Sequence, residues 1–168
     1  MIGSDTRDYK RDDGGKLYRR SMYTFWKRAA PPASMDLLNA PNRETCTVRR
    51  ERTNTPLQAL VTLNDVQFIE AARHLAQMAL KEGGPSDESR IDFVARRLLA
   101  RPFRAEELKM VEGNLTELLA DYKARPAEAS KLINVGESRP DASLDVPTLA
   151  AWTMLVNELM NLDEVLNK

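Results

Sequence analysis

From residue 55 onward, apolar side chains return every three or four positions, the spacing that gathers them on one face of an α-helix. The first helix is announced by Thr55-Pro56-Leu57-Gln58. Thr55 suits the N-cap, Pro56 the first helical position, and Gln58 stands three residues after the cap to complete a capping box. This helix is expected to run to about Leu63, where Asn64-Asp65 ends it and caps the next. In that second helix Phe68, Ala72, Leu75, Ala76 and Ala79 form the stripe, and Gly83-Gly84-Pro85 stops it. Ser86 or Asp87 caps a third, with Ile91, Val94, Ala95, Leu98 and Leu99 inward and a basic opposite face of Arg90, Arg96, Arg97 and Arg101.

A fourth helix is expected near residues 105–124, with Leu108, Val111, Leu115, Leu118, Leu119 and Tyr122 inward. It opens on Glu106-Glu107, which favour the positive end of the helix dipole, and carries Gly113 at its middle, a residue costing about 1 kcal/mol there relative to Ala. A short fifth helix is expected from Pro126 to near Gly136, then a polar loop over 137–144. Asp145-Val146-Pro147 opens the last helix, with Leu149, Trp152, Leu155, Val156 and Leu159 as core candidates. Residues 161–166 either continue it or bend away.

The first third of the chain obeys neither period. Residues 1–16, with Gly14-Gly15 among mixed charges, read as a mobile arm or a truncated end. Residues 17–28 (LYRRSMYTFWKR) are aromatic and basic without a cleanly apolar parity, so a short strand, a buried extended segment or a helical turn all fit. Pro31, Pro32 and Pro41 make the chain between them largely non-helical, and residues 29–52 are read as a long irregular connection. Loops of this length in a compact domain are often functional. The expected organisation is an arm over 1–16 and one helical domain over 17–168, with an irregular basic segment at 17–54 and a helical core at 55–168. The fold class is mainly α, an antiparallel bundle of about five to six helices.

Charge sharpens this picture. Lys plus Arg equals Asp plus Glu at 25 each, so the total gives no argument for nucleic acid or a membrane surface as partner. The distribution is uneven: residues 1–52 carry 12 basic and 7 acidic side chains, residues 53–168 carry 13 and 18. The two parts can therefore attract each other. Cys46 is the only cysteine, which excludes an internal disulfide, a Cys-x-x-Cys-His haem attachment and a four-cysteine zinc site. No cofactor is expected in this chain. Met1 to Asp8 has no apolar run of the signal-peptide kind, and no stretch of 18 apolar residues exists.

Several strings carry a resemblance. Arg19-Arg20-Ser21-Met22-Tyr23-Thr24-Phe25-Trp26-Lys27-Arg28, Pro31-Pro32 and above all residues 46–60 (CTVRRERTNTPLQAL) resemble the C-terminal part of a planctomycete-type family catalogued as a domain of unknown function. Asn64-Asp65 with Gln67-Phe68, and Trp152 with Asn161-Leu162-Asp163-Glu164, are similar to the same family, so the resemblance spans about residues 17–166. It implies an architecture: such domains usually close large exported proteins that also carry a cytochrome c-like domain, which points to a periplasmic or cell-surface setting and to neighbouring domains as partners. The chain departs at Leu38-Asn39-Ala40-Pro41, where the family commonly has Phe-Asp-Ala-Pro, and at Val66, where a proline is common. The first departure removes a carboxylate, and no established activity comes with the family.

Candidate chemistry concentrates before the capped helix. Arg49, Arg50 and Arg52, joined by Arg20, can either build a site for a carboxylate, sulfate or phosphate near a helix N-terminus, or pair with the acidic helices and clamp the irregular segment. Asn54 and Asn64 read as substrate-orienting groups or as caps. Asp65, Asp163 and Glu164 read as acid and base or as capping and ion-pairing groups. Tyr23 and Trp26, with Phe25, can stack on a sugar or base, or anchor the segment in the core. His74 falls off its helix's apolar stripe and reads as an exposed bystander, and Cys46 as a small buried residue. Without P-loop, Gly-x-Gly-x-x-Gly or His-Glu-x-x-His, the expected function is a non-catalytic interaction or scaffolding domain. The alternative is an enzyme or ligand-binding domain for polysaccharide or an anionic substrate.

Overall fold

The computed structural model describes residues 12–24, 31–42, 44–49 and 51–167. Among these the chain is mainly α, with eight α-helices, two 3-10 turns and no strand. The helices are α1 (Ala33–Leu37), α2 (Pro56–Asn64), α3 (Val66–Glu82), α4 (Asp87–Leu99), α5 (Ala105–Ala124), α6 (Pro126–Ile133), α7 (Val146–Met160) and α8 (Asp163–Leu166). By contacts the chain divides inside α2, residues up to Val61 forming one unit and residues from Thr62 the other.

In the first unit the helix signals act through hydrogen bonds. The Thr55 amide donates to Gln58 Oε1 at 2.9 Å and the Gln58 amide to Thr55 Oγ1 at 3.3 Å, which completes the capping box. The Gln58 side chain is buried, and its amide donates to Leu37 O and to Thr53 Oγ1, both at 2.7 Å. One glutamine thus joins α1, the segment before α2 and α2 itself.

The described residues of the proline segment are largely non-helical as expected, but one short helix forms within it. Proline restricts the residue before it rather than those after it, so α1 starts directly behind Pro32, whose carbonyl accepts from Met35 N and Asp36 N. α1 ends where Asn39 takes the left-handed conformation (φ 55°). There Asn39 N donates to Asp36 O and Ala40 N to Met35 O, the paired bonds of a Schellman cap. Asparagine and aspartate both tolerate this backbone better than other side chains, so the residue at 39 has a conformational role whichever of the two stands there. Asn39 Nδ2 also donates to Thr53 Oγ1. Two further expectations fail: Cys46 is exposed rather than buried, and Tyr23 is 65% exposed rather than a core anchor.

The second unit is built around α7, which packs most extensively on α3, α5 and α6. Asp145 caps it, accepting from Thr148 N at 3.1 Å and Thr148 Oγ1 at 2.6 Å. Its buried residues run from Leu149 to Leu159 and face every direction, as they must in a helix surrounded by others. Leu149, Trp152, Leu155, Val156 and Leu159 are all core residues. Ala72, Ala76 and Ala79 of α3 are fully buried beneath them, as are Ile91, Val94 and Ala95 of α4, and small alanines let the helix axes approach closely. Asp65 caps α3 by accepting from Gln67 N at 2.8 Å, and Ser86 caps α4 by accepting from Ser89 N at 3.2 Å. α6 ends at Ile133, three residues before Gly136, and after α7 the chain turns at Asn161-Leu162 into the short α8.

Candidate functional site

The densest polar arrangement on the second unit grows from the end of α4. Ala100 closes that helix with φ 61° and Pro102 stands two residues on, so Arg101 between them leaves the helix on the way to α5. Glu107 stands in the first turn of α5, where its carboxylate reaches back to the Arg104 amide at 2.8 Å. The same carboxylate accepts Arg101 NH1 at 2.8 Å and NH2 at 3.1 Å. From the other side, the turn after α7 brings Glu164 to Arg101 Nε at 3.0 Å and NH2 at 2.7 Å. One guanidinium therefore holds two carboxylates from segments about 60 residues apart in fork geometry.

The electrostatic result has one direction. Arg101, and after it the Arg104 amide, hold the Glu107 carboxyl down at about 2, while the two glutamates push Arg101 above its ordinary value. Glu107 is anionic and occupied by Arg101, so it does not offer the proton that a general acid needs, and Glu164 is bonded to the same guanidinium. Because these groups are substantially exposed, the network fixes geometry more than it stabilises the fold.

Beside it opens a groove of about 610 Å³ between α5, α7 and α8. Its floor and walls are apolar, formed by Leu99, Phe103, Val111, Leu155 and Leu159, with Met110 (69% exposed) and Leu162 at the mouth. Arg101, Glu107, Asp163 and Glu164 make a charged lip, and Asn114, also on the wall, donates to Glu158 Oε2. Asp163 accepts from Asn167 Nδ2 at 2.6 Å. This volume takes a few large side chains or a small ligand. A second hollow of about 390 Å³ by Tyr122 and Leu132 is walled by Arg125 and Lys131, which pair with Asp121 and Glu128, four and three residues before them. Among the described residues no group of three His, Cys, Asp or Glu is placed to hold a metal.

A buried polar cluster lies on α3. Arg73 is fully buried and donates to the carbonyls of Ile133, Val135 and Ser138, and to Ser138 Oγ at 2.6 Å. Glu70, also buried, stands 3.5 Å from the same guanidinium and accepts from Glu137 N at 3.2 Å, Ser138 N at 2.7 Å and Ser138 Oγ. His74 is exposed as expected, yet its Nε2 lies 2.8 Å from Ser138 Oγ, so it closes the same loop rather than standing apart. Although serine, histidine and carboxylate meet here, the amides of residues 137 and 138 are taken by Glu70. An oxyanion site needs such donors free, whereas here they fasten the loop after α6 to Glu70.

Of the residues singled out from sequence, Trp26 and Arg50 lie outside the described residues, as does Phe25. Arg20 and Tyr23 share one turn, the Tyr23 amide donating to Arg20 O at 2.8 Å. Arg20, Arg49, Arg52 and Asn54 are exposed, and among the described residues no ion pair engages the three arginines. Asn64 is the exposed last residue of α2, and Asp65 is the cap of α3. Asp163 and Glu164 sit together at the start of α8, with Glu164 in the Arg101 network. Sequence reasoning did not find the Arg101–Glu107–Glu164 or Glu70–Arg73–Ser138 groupings, since both depend on contacts more than 60 residues apart.

Among its described residues the chain is all-α, with this groove on its second unit. The chain belongs to the PSD1 family of proteins of unknown function (DUF1553), whose match covers residues 2–115. That stretch includes the segment over 46–60 and runs into α5, whereas α6, α7 and α8 lie beyond it. No curated protein and no solved structure matches the chain.

Proposed function

We propose that this chain is a non-catalytic interaction domain, and that the groove between α5, α7 and α8 receives an apolar surface of a neighbouring domain. The observation that supports this is the division of labour at the groove: the walls are apolar, while the charged lip groups bond to one another. Docking sites are built this way, with an apolar centre and a polar rim. The resemblance read from residues 17–166 supports the rest of the proposal: a larger exported polypeptide, outside the cytoplasm, whose cytochrome c-like domain is among the partners. Titration calorimetry of the chain against the neighbouring domains tests it. Heat of association that disappears with Met110→Asp is the expected result, and no heat with unchanged light scattering would remove the proposal.

A second reading rests on a different observation. Arg49 and Arg52 are exposed without an ion pair among the described residues, which suits capture of a sulfated or phosphorylated glycan. Thermal shift with inorganic sulfate, phosphate and a sulfated polysaccharide tests it, comparing the wild type with Arg49→Ala/Arg52→Ala. Shifts common to both proteins would dismiss this reading.

A further inference from the structure

The groove on the second unit combines three features that together specify an occupant. Its apolar walls leave Met110 and Leu162 exposed at the mouth, a position where burial against a partner would be favourable. Its lip carries three carboxylates, Glu107, Asp163 and Glu164, against the single guanidinium of Arg101, so the rim is negative. The unit around it holds 13 basic and 18 acidic side chains from residue 62 onward, which extends the same sign of potential beyond the lip.

We propose that the groove binds a cationic amphipathic helix, with leucine-sized side chains seated between α5 and α7 and lysine or arginine flanking the acidic lip. This rests on the interaction-domain reading above and names the chemistry of its partner. The charge argument excludes an anionic segment, which would meet like charge at the rim. The backbone argument favours a helix: the groove is bounded by helices and offers no strand edge, so an extended segment would leave its own amides without partners. A helix brings its backbone already satisfied and presents about three or four apolar side chains on one face, which suits the available volume. Lysine and arginine add apolar stems that cover Met110 and Leu162 while their heads reach the carboxylates. Arg101 holds Glu107 anionic, so that carboxylate stays part of the charged lip.

The test uses the full chain and two fluorescent designed peptides of equal length, one with a leucine face and lysine flanks, the other with the same face and glutamate flanks. Anisotropy titration is expected to show the lysine peptide binding at least about tenfold more tightly, an advantage that shrinks as salt rises. Met110→Ser, at an exposed position, is expected to weaken the lysine peptide by about tenfold. Asp163→Asn/Glu164→Gln is expected to weaken it and to flatten the salt dependence, with circular dichroism confirming that both variants stay folded. Equal binding of the two peptides, lost in Met110→Ser, would overturn the charge inference and leave the docking groove standing. Lysine-peptide binding unchanged by Met110→Ser would mark diffuse attraction to an acidic surface, and binding of neither peptide would remove the proposed occupant. In either case the calorimetry with neighbouring domains judges the interaction reading separately.

Discussion

Glu70 and Arg73 stand one turn apart on α3, both shielded from water, and both direct their polar atoms at the loop that follows α6. Each charge is tolerable only because the other, together with the loop backbone, satisfies it. Removing one partner strands the other, which costs about 3–5 kcal/mol for a buried pair. Glu70→Ala is therefore expected to lose stability of that order in urea denaturation, whereas Glu70→Leu/Arg73→Met is expected to lose less than the single change. A single-variant loss under about 1 kcal/mol would show that water reaches the pair.

Glycines and alanines give two opposite expectations. Gly136 has φ 101°, and a Cβ there would lie 2.6 Å from the Glu70 carboxyl, so Gly136→Ala is expected to destabilise by about 1–3 kcal/mol. Gly113, in the middle of α5, has open space around the corresponding position, so Gly113→Ala is expected to stabilise by about 0.5–1 kcal/mol. Thermal melts of both variants check the pair, and shifts of the same sign would contradict the local backbone argument.

Trp152 is 1% exposed at the centre of α7, the helix that packs on α3, α5 and α6. Trp152→Ala is expected to cost about 3–5 kcal/mol by chemical denaturation. A loss below about 1 kcal/mol would mean that the surrounding helices collapse into the space, which close packing resists.

The helices from α2 onward were legible because their signals are local. Thr55 with Gln58, Asp65, Ser86 and Asp145 act within three residues of themselves, and a stripe such as Ile91, Val94, Ala95 and Leu99 repeats at the helical period. α1 was hidden because the three prolines mark the segment as largely non-helical, and a five-residue helix fits between Pro32 and Pro41. Glu70 and Arg73 were hidden because a charged pair on a helix ordinarily marks the solvent face, and only the loop at 134–139 reverses that. The groove was hidden for the same reason: Arg101, Glu107 and Glu164 each had a sufficient local role, as basic face, dipole partner and cap-region acid. The arginines at 49 and 52 were named as candidates, and the structure places both at the surface.

Gln58 offers a test confined to the first unit. Its amide nitrogen serves both Leu37 O and Thr53 Oγ1 while its oxygen accepts the Thr55 amide. Gln58→Ala removes all three bonds at a buried position, where a lost hydrogen bond costs about 0.5–1.5 kcal/mol with its partners only partly buried. Because α1 is only five residues long, the loss is expected as faster proteolysis between residues 31 and 55. Protection equal to the wild type would show that α1 is held by something other than this glutamine.

Acid should reveal the Arg101 network. Glu107 is held at about 2, against an ordinary value of 4.5, first by the Arg101 hydrogen bonds and then by the Arg104 amide. A carboxyl with a depressed folded value binds its proton more readily in the unfolded chain. Its stabilisation is thus complete above the ordinary value and is lost as pH falls toward the folded one. Asp141, held low by Lys81 and Ser143, Asp145, held low by Thr148, and Glu128, held low by Lys131, act in the same direction. The melting temperature is therefore expected to fall between about pH 5 and pH 2. Replacing Glu107 by Gln removes one titrating group, and replacing Arg101 by Met removes the chief cause of its depression, so both variants should start lower at neutral pH and descend less steeply. A wild-type melting temperature that holds level or rises through that window, or variants that fall as steeply as the parent, would mean that Arg101 does not hold Glu107 in solution, and the lip of the groove would lose its fixed geometry.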